Sequence, residues 1–109
     1  MADTFKILGQ SAPAATTLTD LYTVPASRST TISTITVCNR AATAATFRIS
    51  AAAAGAADAT SQYIYYDQTI DANDTFAPTM GITLATTDKL RVYASTANLT
   101  FSAFGVEVA

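Results

Sequence analysis

The 109-residue sequence contains no histidine and no tryptophan, a single cysteine, four glycines and three prolines. Each shortage closes a class of chemistry. Without histidine, and with Cys38 as the lone thiol, the chain holds no Ser-His-Asp triad, no Cys-His pair, no intrachain disulfide and no Cys/His zinc site. Charged residues make up 13% of the chain, against about 25% in an ordinary soluble domain. Six basic residues face eight acidic ones for a net charge of −2, and the basic ones are scattered, so no footprint for DNA or RNA is expected. A Gly-rich phosphate loop is also missing. The opening stretch Met1 to Gly9 has no apolar run of signal-peptide length, and no window reaches the roughly 18 residues of a membrane helix. The expectation is a protein made in the cytoplasm, with no membrane and no nucleic acid as partner.

What the chain has in abundance is alanine and threonine, 23 and 20 residues respectively, which implies a small, neutral surface suited to lateral packing. Its length fits one domain spanning residues 1–109, with residues 1–17 read as an extended N-terminal arm. Short β-rich segments recur at intervals of about 8 to 12 residues, the spacing of an all-β sandwich. Strands are expected over Thr4–Leu8, with Phe5 and Ile7 on one face, and over Leu18–Val24, which stops at Pro25. Thr30–Asn39 is the clearest, with Ile32, Ile35 and Val37 set among Thr and Ser. Thr43–Ala54 is read as a strand ended by Gly55, because its Ala run is too short for a self-supporting helix. Gln62–Ile70 reads as a strand with one aromatic face, and Thr75–Leu84 as two short edges broken around Pro78 and Gly81. Asp88–Ser95 places Leu90, Val92 and Ala94 inward and Lys89, Arg91 and Tyr93 outward. Leu99–Val108 changes phase near Ala103 and Phe104, which predicts a bulge or burial on both faces. The total is about eight strands, the number in an antiparallel, jelly-roll-like β-sandwich.

Few constellations carry chemistry. Asp67, Asp71, Asn73 and Asp74 gather oxygen atoms that calcium favours, but in an order that fits turn capping better than an EF-hand. Asp67 with Asp88 or Glu107 supplies no facing carboxylate pair that the spacing can place across a cleft. No catalytic residue, cofactor or metal is therefore expected. Tyr63, Tyr65, Tyr66 and Tyr93 form an aromatic group suited to core packing on one side and a subunit contact or a sugar ring on the other. Cys38 ends the best strand, where alternation predicts a buried, inert thiol. Arg28, Arg40, Arg48 and Arg91 stand one per segment, as rim ion pairs would. The acceptor patterns at Asn73-Asp-Thr75 and Asn98-Leu-Thr100 fall in turns and need no glycan.

Three stretches, Leu8-Gly-Gln-Ser-Ala-Pro-Ala-Ala-Thr-Thr17, Asp20-Leu-Tyr-Thr-Val-Pro25 and Thr36-Val-Cys-Asn-Arg40, carry a resemblance. It continues through Tyr63-Ile-Tyr-Tyr-Asp67, Asp74-Thr75, Gly81-Ile-Thr-Leu84 and Asp88 to Leu99, and so covers nearly the whole chain. The pattern resembles a group of short virion structural proteins of tailed bacteriophages. That resemblance implies a non-enzymatic head decoration or cement protein, located in the virion, with the major capsid protein or other virion proteins as partners. It also implies a homo-oligomer, with a trimer favoured. A tail, neck or baseplate component is the alternative position, and a carbohydrate-binding module for host glycans is the alternative of another class. The interface candidates are Phe5, Ile7, Tyr63, Tyr65, Tyr66 and Tyr93, with the segment Met1–Gln10 adding a strand to a neighbour's edge.

Overall fold

Residues alternating between apolar and small polar form nine strands in the computed structural model, which describes residues 3–109. They are β1 (Asp3–Ser11), β2 (Thr19–Thr23), β3 (Ser29–Asn39), β4 (Ala45–Ala52), β5 (Tyr63–Ile70), β6 (Thr75–Phe76), β7 (Thr79–Leu84), β8 (Lys89–Ala94) and β9 (Leu99–Val108). All pairings are antiparallel. One sheet runs β1-β9-β3, with β6 and β7 both paired to β3, and the other runs β2-β8-β4-β5. β6 and β7 therefore occupy one strand position, interrupted at Ala77 and Pro78, where proline removes a ladder donor.

The connectivity is that of a long hairpin wound on itself. β4 pairs with β5 at its tip, β3 with β6 and β7 next, then β2 with β8, and finally β1 with β9. This nested order is the jelly roll. Between the sheets lie Ile32, Ile35 and Val37 from β3, Phe47 and Ile49 from β4, Leu90 and Val92 from β8, and Leu99 and Phe101 from β9, all fully buried. Phe47 is the hub, with ring centroids 5.5 Å from Phe76 and 6.2 Å from Phe101.

Several boundaries differ from the sequence reading for identifiable reasons. β1 does not stop at Leu8. It continues through Gly9, where any Cβ would overlap the Leu21 carbonyl oxygen, so glycine here lets β1 and β2 approach across the sheets. β4 ends at Ala52 rather than Ala54. A tight 3-10 turn follows, with Ala54 at φ 54°. β9 itself keeps regular alternation, and the irregularity expected near Ala103 and Phe104 lies at that place in the sheet, carried by the extra residues Leu8 of β1 and Ser33 of β3. Ala103, Gly105 and Glu107 continue the inward row, Phe104, Val106 and Val108 the outward one, and the irregularities sit on the partners β1 and β3. Cys38 is not buried. It pairs with Thr75 and Thr100 on the outer face, one residue out of phase with Val37, and is half-exposed.

The inward Glu107 closes one end of the sandwich. It is only 4% exposed. Tyr22 Oη donates to its Oε2 at 2.5 Å and lies 2.8 Å from the Thr30 hydroxyl, so β2 is tied to both β9 and β3. Lys6 Nζ reaches the other carboxylate oxygen at 3.1 Å, which pins β1 to the same group. The Tyr22 hydrogen bond, helped by Lys6, outweighs burial and holds the Glu107 carboxyl below the usual range. Burial, reinforced by the carboxylate, pushes the Tyr22 phenol up to about 12.

Candidate functional site

Two surface features stand out, one on the outer face of each sheet. The first follows from β1 being an edge strand, paired to β9 on one side and to no other strand among the described residues. Its side chains alternate across the sheet, so Phe5 and Ile7 both point outward, 80% and 53% exposed. Opposite them in register stand Val106 and Phe104, with Val108 across from Asp3. These outward residues of β9 are half-buried, and the result is an apolar ridge two strands wide beside an open backbone edge. Phe5 and Ile7 are thus brought together as expected. Of the segment Met1–Gln10, Met1 and Ala2 lie outside the described residues.

The second feature is built by two irregularities in β5. Phe47 faces Gln68 and Ile49 faces Tyr65, so the single residue Arg48 stands against the pair Tyr66 and Asp67. Asp67 takes φ 51° at this bulge, a conformation that Asp tolerates better than most residues. A second slip places Ile64 out of register, because Ser50 faces Tyr63. The expected single aromatic face is therefore divided. Tyr65 turns inward, with its ring 5.3 Å from Phe76 and 6.1 Å from Phe47, and belongs to the core margin rather than to an interface. Tyr63 and Tyr66 turn outward and meet edge to face, with centroids 5.0 Å apart and planes at 87°.

Arg48 organises this face. Its Nε donates to Asp67 Oδ1 at 2.7 Å and its Nη2 to Oδ2 at 3.3 Å, a two-pronged pairing. The guanidinium carbon lies 4.1 Å from the Tyr66 ring centroid and 4.3 Å from that of Tyr93. Tyr93 points outward as its alternation predicts, and the stack joins β8, β4 and β5. The Asp67 hydrogen bond pushes the Arg48 pKa further up, so its charge is permanent. Tyr63 donates its hydroxyl to Asp58 Oδ2 at 3.1 Å, and burial together with that carboxylate raises its pKa. Thr60, Tyr63 and Tyr66 line an open cavity of about 380 Å³.

The segment between β4 and β5 folds back over this outer face. Arg91 Nη1 and Nη2 donate to the carbonyls of Ala56 and Gly55, while Asp20 bridges Arg91 and Lys89 from the neighbouring strand. The Lys89 hydrogen bond, with Arg91 adding to it, holds the Asp20 carboxyl low. Under this cover Ser50 is fully buried, and its hydroxyl has no hydrogen-bond partner among the described residues. Asp71, Asp74 and Asp88 act on turns. Asp74 Oδ1 accepts from the Thr75 amide, Asp88 accepts from the Ala54 and Ala85 amides, and the Asp71 carbonyl accepts from Asn39. No group of three Asp, Glu or Cys side chains is placed to hold a metal among the described residues.

The sequence reading had Tyr93 outward and Arg48 in a rim ion pair but missed the Arg48 stack and the covering loop. Asp67, a left-handed-tolerant residue inside an aromatic strand, is the signal that marks the bulge. No protein-family model, no curated protein and no solved structure matches the chain.

Proposed function

We propose that this chain is a non-enzymatic structural protein of a bacteriophage virion, a decoration or cement protein that stabilises the head lattice. The observation that carries the reading is the apolar ridge of Phe5 and Ile7 with Phe104, Val106 and Val108, set beside the unpaired edge of β1. Isolated exposed apolar residues are ordinary, but a contiguous ridge next to free backbone donors and acceptors fits strand addition and apolar docking on a neighbour. The sparse charge and the Ala/Thr surface serve the same end, because neutral flanks pack without desolvating ions. A shell needs only a modest contact from each copy. At about 25 cal/mol per Å² of apolar area, repetition over the lattice makes a weak single contact strong. A homo-oligomer suits this role, and a trimer matches the threefold positions of such a lattice.

The test is quantitative mass spectrometry of purified particles, with the chain measured relative to the major shell subunit. A ratio near one supports lattice decoration, and a few copies per particle moves the chain to the tail, neck or baseplate. Absence from the particle refutes the virion reading. The double variant Phe5→Asp, Ile7→Asp is expected to fold normally and to be lost from the particle.

A further inference from the structure

The aromatic corner on the β5 edge is not explained by lattice packing through β1. The two features lie on opposite edges of the sandwich: β1 packs over β2, where Gly9 meets Leu21, and β5 over β6, where Tyr65 meets Phe76. A contact made through the β1 ridge leaves the corner facing away from it.

The corner has the properties of a prepared binding site. Tyr66 is 58% exposed although it is a large aromatic residue, and neighbouring Ile64 is exposed as well. Both walls are held before any ligand arrives. Tyr63 is anchored through Asp58, and Tyr66 lies against the Arg48 guanidinium, itself clamped by Asp67. Fixing the rings in advance lowers the ordering cost of binding. The cavity of about 380 Å³ is at the small end of the roughly 300 to 1,000 Å³ typical of ligand sites, room for one or two sugar rings.

Its chemistry narrows the ligand. The nearby cation, Arg48, is spent on Asp67 and two rings, so a phosphate or sulfate finds no uncommitted positive charge. Asp58 adds negative charge beside Tyr63, which disfavours anions further. A flat nucleobase binds best between parallel rings, whereas these planes meet at 87°. A pyranose fits both walls. It has an apolar C–H face to lie on one ring, and hydroxyls around its rim for the Thr60 hydroxyl and the Asp58 carboxylate. We propose that the corner formed by Thr60, Tyr63 and Tyr66 binds a neutral hexopyranose unit of a glycan. This goes beyond the lattice role and does not depend on it.

The test uses the full chain and saturation-transfer NMR with the methyl glycosides of glucose, galactose, mannose and N-acetylglucosamine, plus lactose and cellobiose. Adenosine monophosphate and phenyl phosphate serve as flat and anionic controls. At least one sugar is expected to bind saturably in the millimolar range, with amide shifts centred on residues 58–67. Tyr66→Ala should weaken that binding about tenfold, the size of one lost aromatic contact. Thr60→Trp, which fills the corner from an exposed position, should abolish it, and Phe5→Asp should leave it unchanged. Three outcomes overturn the proposal: no sugar in the set binds, the binding is indifferent to both corner variants, or a phosphate control binds more tightly than every sugar.

Discussion

Replacing Tyr22 with phenylalanine removes one oxygen atom and tests the account of how the two sheets are tied together. That oxygen lies between the Glu107 carboxylate at 2.5 Å and the Thr30 hydroxyl at 2.8 Å. Both partners are almost completely buried. A hydrogen bond to a charged group contributes about 1.5 to 3 kcal/mol net, and its loss here leaves a carboxylate inside the fold with one poorer partner. Lys6 remains within 3.1 Å but is half-exposed, and such a pair supplies less than about 1 kcal/mol. The expected loss is about 2 to 3 kcal/mol, or roughly 10 °C in Tm for a domain of this size. Urea unfolding at neutral pH should show a lower midpoint with an unchanged slope, since the surface exposed on unfolding is the same. The acid limb gives an independent check. Tyr22 chiefly, with Lys6, depresses the folded pKa of Glu107, so this contribution is present above the ordinary glutamate range and is lost as pH falls below it. Tyr22→Phe should therefore make stability less sensitive to acid below about pH 4.3. A cycle with Glu107→Gln should report a coupling of about 1 to 3 kcal/mol. A loss under about 0.5 kcal/mol, or an unchanged acid limb, would refute the reasoning.

Four further outcomes follow from the same structure. Gly105→Ala places a Cβ against the Thr31 carbonyl oxygen and the Ile32 Cα, both backbone atoms, and should cost about 3 kcal/mol or more by thermal denaturation. Ser50→Ala removes a buried hydroxyl that has no partner among the described residues and should be neutral or stabilising by up to about 1 kcal/mol; a clear loss of stability would reveal a partner for it. Arg48→Lys keeps the charge but loses the planar two-pronged bond and the ring stacking, so Tyr66 and Tyr93 ring resonances should broaden or shift while stability falls by only about 1 kcal/mol. In an alkaline titration followed by phenolate absorbance, Tyr22→Phe should remove a transition near pH 12, and the stability Tyr22 contributes is full below about pH 10 and lost as the pH rises from there through about 12.

The strands of this fold were readable because its core is alternating and its turns are marked. The row Leu90, Val92 and Ala94 points where its periodicity says it does, whereas Ile32 shares the inward face of Ile35 and Val37 only through the irregularity between Ile32 and Thr34. β9 was delimited correctly even though its inward row ends in Gly105 and Glu107, which have no apolar signature and so looked like a break in phase. The candidate sites were harder to read. The ridge at Phe5 and Ile7 follows from simple alternation, but the aromatic corner depends on two one-residue slips in β5. Each slip moves every later side chain to the opposite face, and local composition barely records it. Tyr65 was misplaced for that reason. Cys38 was misplaced because Val37, one residue earlier, holds the inward place in the alternation and turns Cys38 to the outer face. The Tyr22, Glu107 and Lys6 contact joins residues up to 101 positions apart, a juxtaposition only the closed fold defines.

The nested winding has a consequence for the order in which the molecule assembles. Residues 50 and 63, at the tip, close a separation of 13, whereas residues 3 and 108 close one of 105. If each pairing formed alone, the outermost would face about three more doublings of loop length, close to 2 kcal/mol of extra chain entropy. Zipping outward from the β4 and β5 hairpin avoids most of that penalty, because every completed pair shortens the gap the next must span. β1 is then the last strand to be added, although once docked it is held along β9 from Asp3 to Ser11, by the buried Leu8 and by the Lys6 ion pair to Glu107. Until it arrives, the edge of β9 that it covers stays open to a strand from a neighbour.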